Sequence, residues 1–198
     1  MCPDPTRLPS LIGSRICHDL VSPLGAIGNG VELLMMSAAG AGPELALISE
    51  SVTSAMARIR FFRIAYGAIG ADAEVPRAEI LSILADMTTG SRLDLRWAAA
   101  GNPPRSQVKL AFLALQCFES AMPHGGQVRV QEEAGRWRIE TRDTQIRYDP
   151  ALWAALEGGA APEISPAQVQ FALLPAELAA RGRRAALAAT ERSITLSY

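Results

Sequence analysis

Apolar residues recur along the N-terminal part of the chain at intervals of three and four. Leu45, Ile48, Val52, Ala55, Ile59, Phe62, Tyr66 and Ile69 alternate these spacings, a heptad a/d pattern held for more than three heptads. Upstream, Ile12, Ile16, Leu20, Leu24, Ile27, Val31 and Leu34 form a matching stripe. The pattern predicts two long helices, from about Pro9 to Ala38 and from about Pro43 to Ile69. Between them, Ala39-Gly40-Ala41-Gly42-Pro43 supplies glycine stops and a proline start. So short a connection makes the helices antiparallel neighbours. Two helices bury only one seam against each other, which leaves Leu33, Met35, Met36, Leu47, Met56 and Ile64 wet in an isolated hairpin. Each such side chain gains about 1.5–3 kcal/mol on burial. Two hairpins pairing into a four-helix bundle solve this, so a homodimer is expected.

The periodicity changes after Gly67-Ala68-Ile69-Gly70-Ala71-Asp72-Ala73-Glu74-Val75-Pro76, a helix end and linker. The division expected is a helical hairpin over 1–72 and a second domain over 77–198. In the latter, Arg77–Thr89 and Pro104–Met122 read as helices and Asp94–Ala99 as a strand. Gln127–Glu133 and Arg136–Arg142 read as strands joined at Gly135, Leu152–Leu156 and Pro166–Arg181 as helices, and Ala185–Ala189 with Ser193–Ser197 as a hairpin. The fold class is α+β: a hairpin forming a dimeric four-helix bundle, then an α/β sandwich with helices on one face of a mostly antiparallel sheet.

Composition narrows the function. The net charge of −1 argues against a nucleic-acid stripe. No apolar run is long enough for a membrane span, no signal peptide is recognisable, and three scattered cysteines make neither a disulfide framework nor a zinc site. A cytoplasmic protein is expected. Lys109, the one lysine, sits in no glycine-rich loop, and the only asparagines are Asn29 and Asn102.

The candidate chemistry lies on the polar side of the first helix. His18, Ser22, Gly25, Asn29 and Glu32 follow spacings of four and three, nearly opposite the apolar stripe, with Arg15 one turn before His18. A histidine on a polar helix face is ordinarily plain surface. Here Asp19 follows it and can orient the ring. Pro23 interrupts a helix whose apolar phase continues on both sides, at a cost of about 3 kcal/mol; the alternative is that Ser22 caps a fresh helix starting at Pro23. Gly25 keeps the surface beside the histidine flat for an approaching protein. Taken by itself, Arg15 reads as a solvated helix arginine. His124 reads as a turn residue, and Cys17 points to another face.

The run His18-Asp19-Leu20-Val21-Ser22-Pro23-Leu24 resembles the H-box of histidine kinases, on the first helix of their phosphoacceptor hairpin. Extended to Leu34, it resembles the ChpT-type histidine phosphotransferases of alphaproteobacteria, and chain length and domain order agree with that family throughout. The resemblance implies that the second domain is a degenerate histidine-kinase ATPase domain. In such a kinase, asparagines of one helix hold magnesium and glycine-rich segments cradle ATP. Here that helix reads Leu115-Gln116-Cys117-Phe118-Glu119-Ser120-Ala121, with Gln116 and Ser120 where the asparagines would be. In Arg142-Asp143-Thr144-Gln145-Ile146-Arg147 the aspartate persists without its glycines, so the backbone cannot approach a nucleotide closely. Glu119 alone is a weak metal signal.

The resemblance implies a phosphorelay intermediate. His18 would take a phosphoryl group from the aspartyl phosphate of one receiver domain and pass it to the aspartate of another, with Asp19 orienting the ring or stabilising its charge. Arg15, Ser22, Gly25, Asn29 and Glu32 would contact the phosphoryl group or the receiver. The implied partners are an upstream hybrid-kinase receiver and downstream regulators. No cofactor is expected on this chain, because magnesium would belong to the receiver. The competing readings are an autophosphorylating histidine kinase, opposed by the missing asparagines and glycines, and a non-catalytic dimeric scaffold in which His18 is incidental.

Overall fold

A computed structural model describes residues 7–36, 42–67, 73–142, 146–159 and 162–198. Helices α1 (Arg7–Met36) and α2 (Gly42–Ala65) form the hairpin. They are followed by α3 (Arg77–Thr88), β1 (Leu93–Trp97), α4 (Arg105–Ala121), β2 (Gly126–Glu133), β3 (Arg136–Arg142) and α5 (Pro150–Leu156). A short 3-10 turn, Pro166–Gln168, leads into α6 (Gln170–Ala179), and β4 (Ala186–Thr190) and β5 (Ser193–Ser197) close the chain. The turn at 39–41, the linker centre at 68–72 and the Asp143–Gln145 segment lie outside the described residues.

α1 runs without a break through Pro23. The reading in which Pro23 begins a new helix is thereby excluded, and the Asp19 carbonyl has no amide donor four residues on. α1 and α2 pack where backbones approach: a Cβ on Gly30 would stand 2.6 Å from Cγ1 of Ile48. The hairpin buries only part of either stripe. Leu24 is 59% exposed, Val52 44% and Ile59 46%, and Leu45, Val31, Leu33, Met35, Met36, Leu47 and Met56 are also exposed.

Ile64 departs from expectation. It is buried completely, not left wet. The end of α2 (Phe61, Phe62, Ile64, Ala65) enters the core shared with α3, α4 and the sheet, and Phe61 stacks on Phe112 of α4 with centroids 4.3 Å apart. A periodicity argument sees one helix and its partner; it does not see a third element docking on the far side.

The sheet order is β1-β2-β3-β5-β4, with β1 parallel to β2 and the other pairs antiparallel. Val128, Val130, Ile139, Ile194 and Leu196 point inward and are completely buried, while their polar neighbours face out, as alternation in a half-covered sheet requires. The β2–β3 hairpin turns through Ala134 (φ 51°) and Gly135 (φ 80°), the left-handed pair that matches strand twist. α4 carries the core: Val108 and every residue from Leu110 to Phe118 is buried, which holds it between the sheet, α2 and α6. Asp149 caps α5, accepting from the amides of Ala151 and Leu152 ahead of Pro150.

Candidate functional site

The helical spacing of α1 places Arg15 and Asp19 one turn apart, so their side chains meet: Nε of Arg15 donates to Oδ2 of Asp19 at 2.8 Å. Asp19 is nearly enclosed, its side chain 8% exposed, whereas that of His18 is 78% exposed. The ring bends back to its neighbour, with Nδ1 3.1 Å from Oδ1 of Asp19. Arg58 of α2 brings Nη1 to 3.7 Å from Oδ2. One carboxylate thus faces an imidazole through one oxygen and two guanidiniums through the other.

Arg15 is neither solvated nor displayed. It is buried, and its Nη1 donates to the carbonyl of Ala167, in the 3-10 turn, at 2.6 Å. Its charge is committed to Asp19 and to the C-terminal segment, which corrects the reading of a free arginine on the helix face.

These groups line an open cleft of about 440 Å³ between α1, α2 and the α4 end, with Ser22, Pro23, Ser51 and Glu119 among its walls. Ser22, Gly25, Asn29 and Glu32 are all exposed on the His18 side of α1, but only Ser22 borders the cleft. Burial raises the Glu119 carboxyl above its ordinary pKa, with Arg58 and Arg15 pulling the other way. Arg58 is not legible in the sequence as a site residue, and Glu119 is legible only as a weak metal signal and not as a neighbour of His18. The first sits among heptad positions and the second on another helix, and only packing unites them with His18.

In α4, Gln116 is buried and its Oε1 accepts from the Tyr66 hydroxyl at 2.9 Å. Burial pushes that hydroxyl up to about 12, so it remains a donor at physiological pH. Ser120 turns back onto the Cys117 carbonyl at 2.7 Å. Phe118, the next turn's neighbour, meets Trp153 edge to face at 5.3 Å, and Trp153 meets Phe171 at 5.5 Å. Trp153 is 1% exposed, so the space between α4, α5 and α6 is filled by aromatic rings. Among the described residues no three of His, Cys, Asp and Glu converge as metal ligands.

Comparisons with known proteins bear on the family of the chain. The family model described as the histidine phosphotransferase C-terminal domain matches residues 77–193. A curated relative, the protein phosphotransferase ChpT of Brucella abortus (strain 2308), is 35% identical over 200 residues, covering 96% of this chain and 94% of its own. A solved structure of a bacterial phosphotransferase superposes with a TM-score of 0.80 at 33% identity, covering 100% of this chain and 98% of that one.

Proposed function

The chain belongs to the histidine phosphotransferase family and works as a phosphotransferase in a phosphorelay; from that premise we propose that His18 is the residue that carries the phosphoryl group. The observation that carries the assignment is an exposed imidazole tethered through one nitrogen to an enclosed carboxylate. A carboxylate between two guanidiniums accepts hydrogen bonds, so Nδ1 bears the proton and Nε2 presents its lone pair to solvent.

The reaction follows from that geometry. Nε2 attacks the phosphorus of a receiver's aspartyl phosphate, the P–O bond to the aspartate breaks, and the carboxylate leaves. Phosphorylated imidazole with a protonated Nδ1 is cationic, and Asp19 stabilises that charge through the same hydrogen bond. In the second step the aspartate of another receiver attacks, the P–N bond breaks, and the ring returns to its starting tautomer. Arg58 places positive potential over the cleft. Ser22, one turn on, borders the incoming group, and Gly25, Asn29 and Glu32 extend the surface on which a receiver docks. The receiver brings its own magnesium. Such an interface is small and transient, near or below about 1,200 Å².

The C-terminal segment is read as a kinase-type ATPase domain that has lost its nucleotide. The support is local: Gln116 is occupied by Tyr66, and the aromatic packing around Trp153 fills the interior beside α4. We also read the exposed stripe of Leu24, Val31, Leu45, Val52, Met56 and Ile59 as the seam of a homodimer, giving the four-helix bundle.

Incubation with a phosphorylated receiver domain tests the assignment. The chain acquires label, and His18→Ala does not; label persisting on His18→Ala sinks it. Labelled ATP should leave no label on the chain alone, and label on His18 from ATP would hand the case to a kinase. No change in relay flux with His18→Ala would favour a scaffold.

A further inference from the structure

A run of buried polar contacts leads away from the His18–Asp19 pair into the C-terminal segment. Asp19 is held by Nε of Arg15, and Nη1 of Arg15 donates to the carbonyl of Ala167. That carbonyl also accepts from Nε2 of Gln170 at 3.1 Å, so both of its lone pairs are used. Gln170 is completely buried, and its Nε2 lies 3.4 Å from the carbonyl of Gln116. Gln116 in turn takes the Tyr66 hydroxyl. The contacts tie α1 to the 3-10 turn, α6, α4 and the end of α2. Nothing in the transfer chemistry itself uses Gln170 or the Ala167 carbonyl.

We propose that Arg15 is a positioning residue whose guanidinium is set from the C-terminal segment by the Ala167 carbonyl and Gln170, and that this brace fixes the tautomer of the His18 ring. The inference rests on His18 being the phosphoacceptor. A guanidinium is a rigid planar fork, so anchoring Nη1 fixes the direction of Nε and with it the Asp19 carboxylate. With Asp19 fixed, Nδ1–H is the favoured tautomer and Nε2 is free to attack. With Asp19 loosened, the ring populates both tautomers, and the reactive fraction falls with them. Donors in a low-dielectric interior hold to the arrangement that pairs them, and with Gln170 beside it the Ala167 carbonyl is fixed in the direction that Arg15 meets. The helix that in a kinase would serve the nucleotide here helps hold the side chains that aim the phosphoacceptor.

The test uses the full chain with ¹⁵N-labelled histidine and a phosphorylated receiver domain as donor. Gln170→Met keeps the buried volume and removes the donor; Arg15→Met cuts the brace at the helix. Wild type shows the ring nitrogens of His18 in the Nδ1–H pattern. In both variants these shifts move toward a tautomer mixture, and kcat for transfer falls on the order of tenfold with KM for the receiver unchanged. Unchanged ring shifts and rates in a folded Gln170→Met, judged by near-ultraviolet circular dichroism, overturn the proposal, as does a loss confined to KM. Should Gln170→Met fail to fold, Arg15→Met decides by the same two readings. Label persisting in His18→Ala marks the failure of the phosphoacceptor assignment. Label that requires His18 while both variants behave as wild type marks the failure of the brace alone.

Discussion

Asp19 gives its two oxygens to different partners, and that division organises the site. Oδ1 meets the ring of His18, and Oδ2 meets Arg15 and Arg58. Replacing it with asparagine keeps the shape and removes the charge. Asp19→Asn should therefore lower the phosphotransfer rate by about 10²-fold, measured as initial rate from a phosphorylated receiver, while receiver affinity stays as it was. Glu119 gives the opposite kind of prediction, one of stability. Burial raises its pKa in the folded chain, so at acid pH both folded and unfolded states hold the proton and nothing is lost. As pH rises through the ordinary value of 4.5, the unfolded state ionises first, and folding becomes less favourable. Glu119→Gln should accordingly raise Tm at pH 7 and lose that advantage near pH 4, by thermal melts at both values. His18 and the exposed residues spaced along its face are visible in the sequence because one helical face displays them, and Asp19 because it directly follows His18. The partner of Arg15 was not, since Ala167 is 152 positions away and contributes only a backbone carbonyl.

Elements come out of the sequence where their own residues decide them. The hairpin helices and the β2–β3 pair rest on local periodicity and turn chemistry, and the structure places them within a few residues of the pattern. Pro166–Arg181 read as one helix, yet the chain makes a 3-10 turn first and then α6 from Gln170. That break matters, because the turn is what presents the Ala167 carbonyl to Arg15. The glycines of α1 separate on the same principle. Gly28 has open space where a Cβ would stand, whereas Gly30 is pressed against Ile48. Gly28→Ala should gain up to about 1 kcal/mol from helix propensity alone. In Gly30→Ala the same gain is opposed by overpacking of about 1–3 kcal/mol, since the crowded atom is mid-chain in a β-branched residue. Chemical denaturation of the two variants should move the midpoint in opposite directions; equal shifts would mean that α1 and α2 do not meet at Gly30.

At the scale of the molecule, one chain holds two kinds of surface. The end of α2 is absorbed into the C-terminal core, where Phe61 stacks on Phe112, so the hairpin cannot swing freely on its neighbour. Phe61→Ala should cost about 3–5 kcal/mol and lower Tm in one cooperative transition rather than two. The rest of α2 turns Leu45, Val52, Met56 and Ile59 outward along one side, with Leu24 and Val31 of α1 beside them. On the proposed reading of this apolar seam as a dimer contact, two charges set into it should prevent the pairing. Val52→Glu combined with Ile59→Glu should sediment as a monomer where the native chain sediments as a dimer. Its phosphotransfer reaction should survive, because Arg15, Arg58 and the Ala167 carbonyl that surround Asp19 all come from one chain. A monomer that has lost transfer while keeping its fold would show instead that the seam completes the site, and that a receiver needs both hairpins to dock.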